Sequence, residues 1–344
     1  MVGARRIGTA PCFIIAEAGV NHNGDVNLAK RLVDVAVEAH ADAVKFQTFN
    51  AERVVTADAP KAEYQERTTG SAESQYEMLR RLELSETAHR ELFQYCFSKG
   101  IPFLSTPFDE HSADFLDELG VKAFKIPSGE ITNFPLLEHI ARKQKPIIMS
   151  TGMSTLDEVR AAVNVISEAG NRDLTLLHCV SDYPANPIDV NLKAMQTMGS
   201  SFGFPVGYSD HTLGIDVALA AVALGATVIE KHFTLDRALS GPDHLASLEP
   251  AELIALVKGI RNVEAALGHG RKEPAASEAN TAAVARRSLV AARTIQAGSL
   301  LTAEMVIIRR PGTGLPPSML PRLVGHSVRQ DIPAGALITL DMLS

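Results

Sequence analysis

Cysteine is scarce in this chain. Cys12, Cys96 and Cys179 are the only three in 344 residues, too few and too scattered for a disulfide framework or a zinc cluster. They are expected as buried free thiols in a reducing compartment. No apolar run approaches the roughly 20 residues of a membrane span. Arg5 and Arg6 precede an apolar stretch, but Glu17 cuts it, so no secretory signal is expected. Positive charge is in deficit: 33 Lys and Arg against 40 Asp and Glu give a net charge of −7. That balance argues against a nucleic-acid or membrane partner drawn by bulk charge. It leaves room for an anionic substrate, because a site can be positive inside a negative protein. The expectation is a soluble, cytoplasmic protein whose 46% hydrophobic content suffices for a large core.

Short β-rich runs alternate with amphipathic segments along most of the chain. The runs lie at 12–19, 43–49, 102–108, 123–129, 146–152, 174–180, 205–211 and 227–233. Between them come helical patterns such as "NLAKRLVDVAVEAHA", with Leu28, Leu32, Val35 and Ala39 on one face. Eight strands, each followed by a helix, predict a (β/α)8 TIM barrel over residues 1–268. A doubly wound sheet is the alternative, but it rarely needs eight parallel strands, and no GxGxxG follows the first run. The polar connection 50–84 is unusually long, as functional lids over barrel mouths often are; a plain surface excursion with a short helix is the other reading.

Past Gly268 the composition turns small and polar, and 269–285 reads as a linker. Residues 286–344 contain a repeat: "IQAGSLLTAEMV" at 295–306 matches "IPAGALITLDML" at 332–343. Two copies 37 residues apart predict a small, pseudo-symmetric β-rich module.

Ionisable residues crowd the ends of the strands, where barrel chemistry sits. The last run reads "TVIEKHF", passing straight from Val228 and Ile229 into Glu230, Lys231 and His232. Side chains two apart share a strand face, so Lys45 pairs with Gln47, Ser209 with His211 and Glu230 with His232. Facing inward, they would gather two histidines, two lysines, several carboxylates and a ring of hydroxyls at one mouth. Two imidazoles on neighbouring strands suit an exchangeable Mn2+ or Mg2+ with open positions better than structural zinc. Lys45, Lys125 and the hydroxyls of Thr106, Ser128, Ser150 and Ser209 suit a phosphate together with a carboxylate. Glu17 and Glu130 are candidate general acids or bases. His178 and Asp210 are expected to be supporting groups.

The blocks "IIAEAGVNHNGDVNLA", "AVKFQTF", "STPFDE", "FKIPSGE", "STGM", "LLHCVSDYP", "GYSDHT" and "EKHFTLD", in this order, resemble the sialic acid synthase family. "GPDHLASLEP" and "RRSLVAARTIQAGSLLTAEMVIIRRPGTGLPP" extend the likeness to the end of the chain, where the last domain resembles type III antifreeze proteins (SAF). The resemblance implies condensation of phosphoenolpyruvate with the open-chain aldehyde of an N-acetylated sugar, releasing phosphate. It implies His211 and His232 as ligands of a divalent ion, Mn2+ first and Mg2+ or Co2+ otherwise, acting as Lewis acid on the aldehyde oxygen. It implies phosphoenolpyruvate contacts at Lys45, Thr106, Lys125, Ser128, Ser150 and Ser209. Sugar and catalytic contacts would fall to Glu17, Gln47, Glu130, Tyr183 and Asp243. Ser181 stands where some members carry Asn, a departure at one phosphate contact. A domain-swapped homodimer is also implied, with Arg310 of the last domain entering the partner's barrel.

N-acetylmannosamine, giving N-acetylneuraminate, is the first expectation for the acceptor. A 2,4-diacetamido-6-deoxy hexose, giving legionaminate or pseudaminate, is the alternative. Two rivals are weaker. A metal-dependent hydrolase barrel usually carries H-x-H after its first strand, where this chain has Ala16-Glu17-Ala18. A non-catalytic glycan- or ice-binding protein would have no use for strand-end lysines and histidines.

Overall fold

The computed structural model describes residues 7–9 and 11–344, so Arg5 and Arg6 lie outside the described residues. The chain divides into two compact units, 1–268 and 269–344.

In the first unit, eight parallel strands alternate with helices, as expected. The strands are β1 Phe13–Gly19, β2 Ala43–Thr48, β3 Phe103–Pro107, β4 Phe124–Ile126, β5 Ile147–Ser150, β6 Leu174–Cys179, β7 Val206–Asp210 and β8 Val228–His232. Ladders run in the order β3-β2-β1-β8-β7-β6-β5-β4, and β3 lies beside β4 without a ladder among the described residues. The barrel is therefore nearly closed. Its outer helices are α1 Val26–Glu38, α5 Glu86–Lys99, α6 Glu110–Leu119, α7 Phe134–Ala141, α8 Leu156–Glu168, α9 Ala194–Phe202, α10 Asp216–Ala223 and α11 Pro250–Leu267. Side-chain N-caps start several of them: Asp25, Ser85, Asp109 and Thr155 each accept a first-turn backbone N–H.

Strand parity sorts the core into two layers. Phe13, Ile15, Ala43, Leu104, Ala123, Ile148, Leu177 and Val228 point into the barrel and pack on one another. Their sequence neighbours, among them Ile14, Val44, Phe46, Phe103, Phe124, Ile147, Met149, Leu176 and Ile229, face the helices in the main core. Each fully buried large side chain contributes about 1.5–3 kcal/mol. The inward apolar layer fills the lower part of the cylinder, and inward positions further along each strand become polar. That change of character along one face creates the site.

The connection after β2 folds into three short helices, α2 Ala51–Val54, α3 Glu63–Thr69 and α4 Gln75–Leu82. Buried Lys61, just before α3, ties the end of α3 to the loop that leads into α4: its ammonium donates to Thr69 Oγ1 (2.9 Å), the Gly70 carbonyl (2.9 Å) and Glu73 Oε1 (3.2 Å). Arg81 grips the same carboxylate at 2.7 and 3.0 Å.

The second unit takes in the whole stretch expected as a linker, 269–285, of which Ala279–Ala285 is a helix, α12. Strands β9 Ser288–Ala291 and β10 Val306–Arg309 pair antiparallel. The sequence repeat is also a repeat in space. Ile295 and Ile332 exchange backbone hydrogen bonds of 2.9 and 2.8 Å. Gly298 and Gly335, 37 positions apart, take left-handed φ angles of 82° and 83° at the same turn.

Candidate active site

One cavity of about 520 Å³ opens at the C-terminal ends of the strands. It is lined by Glu17, Lys45, Gln47, Thr106, Lys125, Ser128, Glu130, Ser150, Ser181, Tyr183, Ser209, His211, His232 and Asp243. The structure thus gathers every barrel residue proposed from the sequence. Arg310 belongs to the second unit, where it is exposed and its Nε donates to the Ala285 carbonyl at 3.0 Å.

The floor is a buried network of alternating charge. Lys45 Nζ lies 2.8 Å from Glu17 Oε1 and 3.7 Å from Glu230 Oε2, and donates to Thr106 Oγ1 at 2.9 Å. Lys125 Nζ lies 3.6 Å from Glu230 Oε1 and donates to Ser150 Oγ at 2.7 Å. Ser209 Oγ donates to Glu230 Oε1 at 3.0 Å. All four charged groups are at most 4% exposed. Register explains the assembly: Glu17 sits opposite Lys45 across β1–β2, and Ser209 opposite Glu230 across β7–β8.

Burial pushes the Glu17 carboxyl up to about 7, against the pull of Lys45. Glu230 is also raised by burial, but Lys125 and Lys45 outweigh that and hold it below the usual carboxylate range. Burial depresses Lys125 despite Glu230. In Lys45 the same burial is overcome by Glu17 and Glu230, which raise it. One carboxyl therefore exchanges protons near neutrality while its neighbour stays ionised, an arrangement that can serve acid–base chemistry.

The β7–β8 side carries the imidazoles. Ring centroids of His211 and His232 are 5.5 Å apart, and Tyr183 lies over His211 at 4.1 Å and edge-on to His232 at 5.5 Å. Burial lowers His211 to about 4 and His232 well below its ordinary value, so both rings are neutral. His211 Nδ1–H donates to the Val180 carbonyl at 2.5 Å, which leaves the Nε2 lone pair toward the cavity. His232 Nδ1 is buried without a hydrogen-bond partner, and Asp243 Oδ2 lies 3.8 Å away.

These features fit a divalent ion. With metal–nitrogen bonds of about 2.1 Å, an ion sits about 3.2 Å from each ring centroid, so two ligands subtending about 90–120° have centroids about 4.5–5.5 Å apart. Among the described residues no set of three or more His, Cys, Asp or Glu forms a metal cage. A two-imidazole site would leave positions open for substrate.

Three features escaped the sequence reading. Glu230, placed inward with His232 by strand parity but given no role there, is the hub of the floor, joined to Lys45, Lys125 and Ser209. Lys231 belongs elsewhere: it points to the helix side and forms a buried ion pair with Asp210 at 2.7 Å. Gly152 is required by space. A Cβ there would meet Ser181 Oγ at 2.3 Å, Cys179 Sγ at 2.8 Å and Ser128 Oγ at 2.9 Å. His178 and Asp210 lie off the cavity; His178 Nε2 bonds the Val190 carbonyl at 2.6 Å.

The chain matches the NeuB family over residues 32–272 and the SAF domain over 286–344. It belongs to the NeuB family. It is 53% identical to an N,N'-diacetyllegionaminic acid synthase of Legionella pneumophila, over 95% of this chain and 93% of that protein. It is 52% identical to a Campylobacter jejuni protein of the same description, over 88% and 91%. Among solved structures, the N-acetylneuraminic acid synthetase of Leptospira borgpetersenii superposes with a TM-score of 0.72 at 41% identity, covering 82% of this chain and 94% of that one.

Proposed function

We propose that this enzyme, a phosphoenolpyruvate-dependent synthase of the sialic-acid type, takes a 2,4-diacetamido-6-deoxy hexose as its acceptor and forms N,N'-diacetyllegionaminate and phosphate. The observation that carries the synthase chemistry is the buried pair of ammonium groups, Lys45 and Lys125, sharing one cavity with two neutral imidazoles. The choice of acceptor leans on the relatives at 53% and 52% identity, both named for the diacetamido product. N-acetylmannosamine, the first expectation from sequence, remains the second reading, favoured by the 41% identical N-acetylneuraminic acid synthetase.

Each residue then has a task. Lys45 and Lys125 would balance the phosphate and carboxylate of phosphoenolpyruvate, while Thr106, Ser128, Ser150, Ser181 and Ser209 supply donors to their oxygens. His211 and His232 would hold a divalent ion, Mn2+ first, which when bound supplies Lewis-acid polarisation of the acceptor's aldehyde. Gln47, Tyr183 and Asp243 would orient the sugar so that its C1 faces C3 of phosphoenolpyruvate. Once the new C–C bond has formed, water must add at C2. Glu17, with its proton affinity near neutrality, is the stronger candidate to take that water's proton; Glu130 is half-buried on the turn after β4 and bonded to Asn133 at 2.7 Å. Breaking the C2–O bond then releases phosphate. Arg310 from a partner copy's C-terminal unit would complete the sugar site in a domain-swapped homodimer.

Phosphate release in the presence of phosphoenolpyruvate, Mn2+ and a panel of amino sugars, with the product identified by mass, tests this reading. Phosphate should appear only when an acceptor is present, and fastest with the diacetamido sugar. Phosphate release without any sugar, or none with every sugar, refutes it.

A further inference from the structure

The cavity is lopsided. Charge and imidazole occupy its floor and its β7–β8 side, whereas the β2–β3 side is built by the excursion 51–82. There Val54, Leu79 and Phe108, half-buried, and Phe49, Met78 and Leu82, buried, form one apolar cluster that lines the opening. Two amides interrupt this apolar surface. Gln75 Nε2 donates to Gln65 Oε1 at 3.2 Å, and that oxygen also accepts the Ala62 N–H at 3.0 Å. Gln65 is thus engaged within the wall, while Gln75 keeps its carbonyl oxygen and one N–H for a ligand.

The wall is held in place rather than left to close on demand. Lys61, Glu73 and Arg81 clasp α3 to α4. Tyr64 on α3 stacks on Tyr183 at 4.9 Å, and Tyr183 in turn lies on His211. The distance between wall and imidazoles is therefore set by packed side chains.

We infer that this wall is the specificity element for the end of the acceptor remote from its aldehyde, selecting a 6-deoxy sugar that carries a second acetamido group. An aldehyde held at the imidazole side leaves the far carbons toward α4. An apolar surface gains from burying the C6 methyl and an acetyl methyl, and it leaves a C6 hydroxyl without a partner. The free donor and acceptor of Gln75 match the C=O and N–H of an acetamido group. This inference rests on the synthase reading and names what sets its acceptor.

The test compares kcat/KM for the 2,4-diacetamido-6-deoxy hexose and for N-acetylmannosamine in the full-length enzyme loaded with Mn2+. Loss of one well-packed contact is worth about 10- to 200-fold in such a ratio. The wild type should favour the deoxy sugar by at least tenfold. Leu79→Asn should lower the ratio by about tenfold or more, Leu79→Met should keep it, and Gln75→Leu should lower it by about tenfold. The KM for phosphoenolpyruvate and the melting temperature should stay near wild type, which a merely structural role would not predict. The inference is overturned if both acceptors change by the same factor in Leu79→Asn and Gln75→Leu, or if the wild type uses N-acetylmannosamine equally well. No phosphate release with any acceptor would instead refute the synthase reading itself.

Discussion

Replacing Lys231 by methionine isolates one buried charge pair next to the candidate metal ligands. Lys231 Nζ lies 2.7 Å from Asp210 Oδ2 and also donates to the Thr212 carbonyl at 2.5 Å. Asp210 Oδ1 accepts the Thr212 N–H at 2.9 Å and its hydroxyl at 2.8 Å. At that separation and an effective dielectric constant of about 20, the attraction is about 6 kcal/mol. Desolvation costs several kcal/mol per ion. Burial lowers the Lys231 ammonium in spite of Asp210, so desolvation is the larger effect at this lysine. The pair therefore adds little net stability, but removing one member strands the other. Lys231→Met should cost about 3–5 kcal/mol, or roughly 6–20 °C in the melting temperature of a domain this size. It should also lower kcat, because His211 sits between the two anchored residues 210 and 212. The double variant Lys231→Met/Asp210→Leu removes the stranded charge and should recover part of the loss, the remainder reflecting the Thr212 N–H and hydroxyl that lose their shared acceptor. Calorimetry on the single and double variants decides the matter. A single variant within about 1 kcal/mol of wild type, or a double variant worse than the single, refutes the reasoning.

His211→Ala and His232→Ala should each cut turnover about a thousandfold, the equivalent of several kcal/mol of electrophilic assistance, with little change in melting temperature. Chelation of the wild type should do the same and be reversed by Mn2+; turnover that survives in a chelated variant ends the assignment. Arg310→Ala should raise the sugar KM about tenfold or more while the phosphoenolpyruvate KM moves little, as steady-state kinetics with each substrate varied would reveal; the opposite pattern places Arg310 elsewhere. For Glu73, burial is the largest single influence and raises the carboxyl, but Arg81 and Lys61 together outweigh it and hold it below its ordinary value. A carboxyl depressed in the folded state contributes its full stabilisation above its unfolded value near 4.5 and loses it as pH falls from there through the lowered folded value. Glu73→Gln should therefore speed proteolysis of the 61–74 segment at pH 7, with the difference from wild type shrinking below about pH 4.5.

Much of the barrel was legible because each strand is short, β-rich and bounded by polar or glycine-containing stretches. The predicted runs overshoot by one residue at most ends, as at Cys12 and Phe49, by two after β5 and by three after β4, where the chain turns at Ser128–Glu130. The candidate site was legible for the same reason: period-two alternation says which strand-end residues share a face, and the inward faces do meet in one cavity. What alternation cannot supply is the identity of neighbours across strands. Glu230 becomes a hub only because closure brings Lys45 from β2 and Lys125 from β4 within 4 Å of it. The excursion was harder still, since its order comes from the three-way bonding of Lys61, which no local pattern announces. The alanine-rich segment 279–285 was read as linker from its small residues, although alanine is the strongest helix former.

The triplet Glu230-Lys231-His232 looks uniform in sequence, and its division between two faces also explains why β8 keeps its register. Sliding the strand by one position would exchange its faces. Lys231 would then enter the cavity beside Lys45 and Lys125, adding a third ammonium to a floor whose only close carboxylate would be Glu17. Glu230 and His232 would turn outward toward the core that contains Leu253, Leu256 and Ile260, and Glu230 would leave both Lys45 and Lys125. Asp210 would lose Lys231 in the same step. Each of these stranded groups costs several kcal/mol. The exchange of Val228 and Ile229 between two apolar surroundings costs far less. Register in the upper half of β8 is therefore enforced by charge rather than by apolar packing, and the groups that enforce it are the ones the chemistry needs.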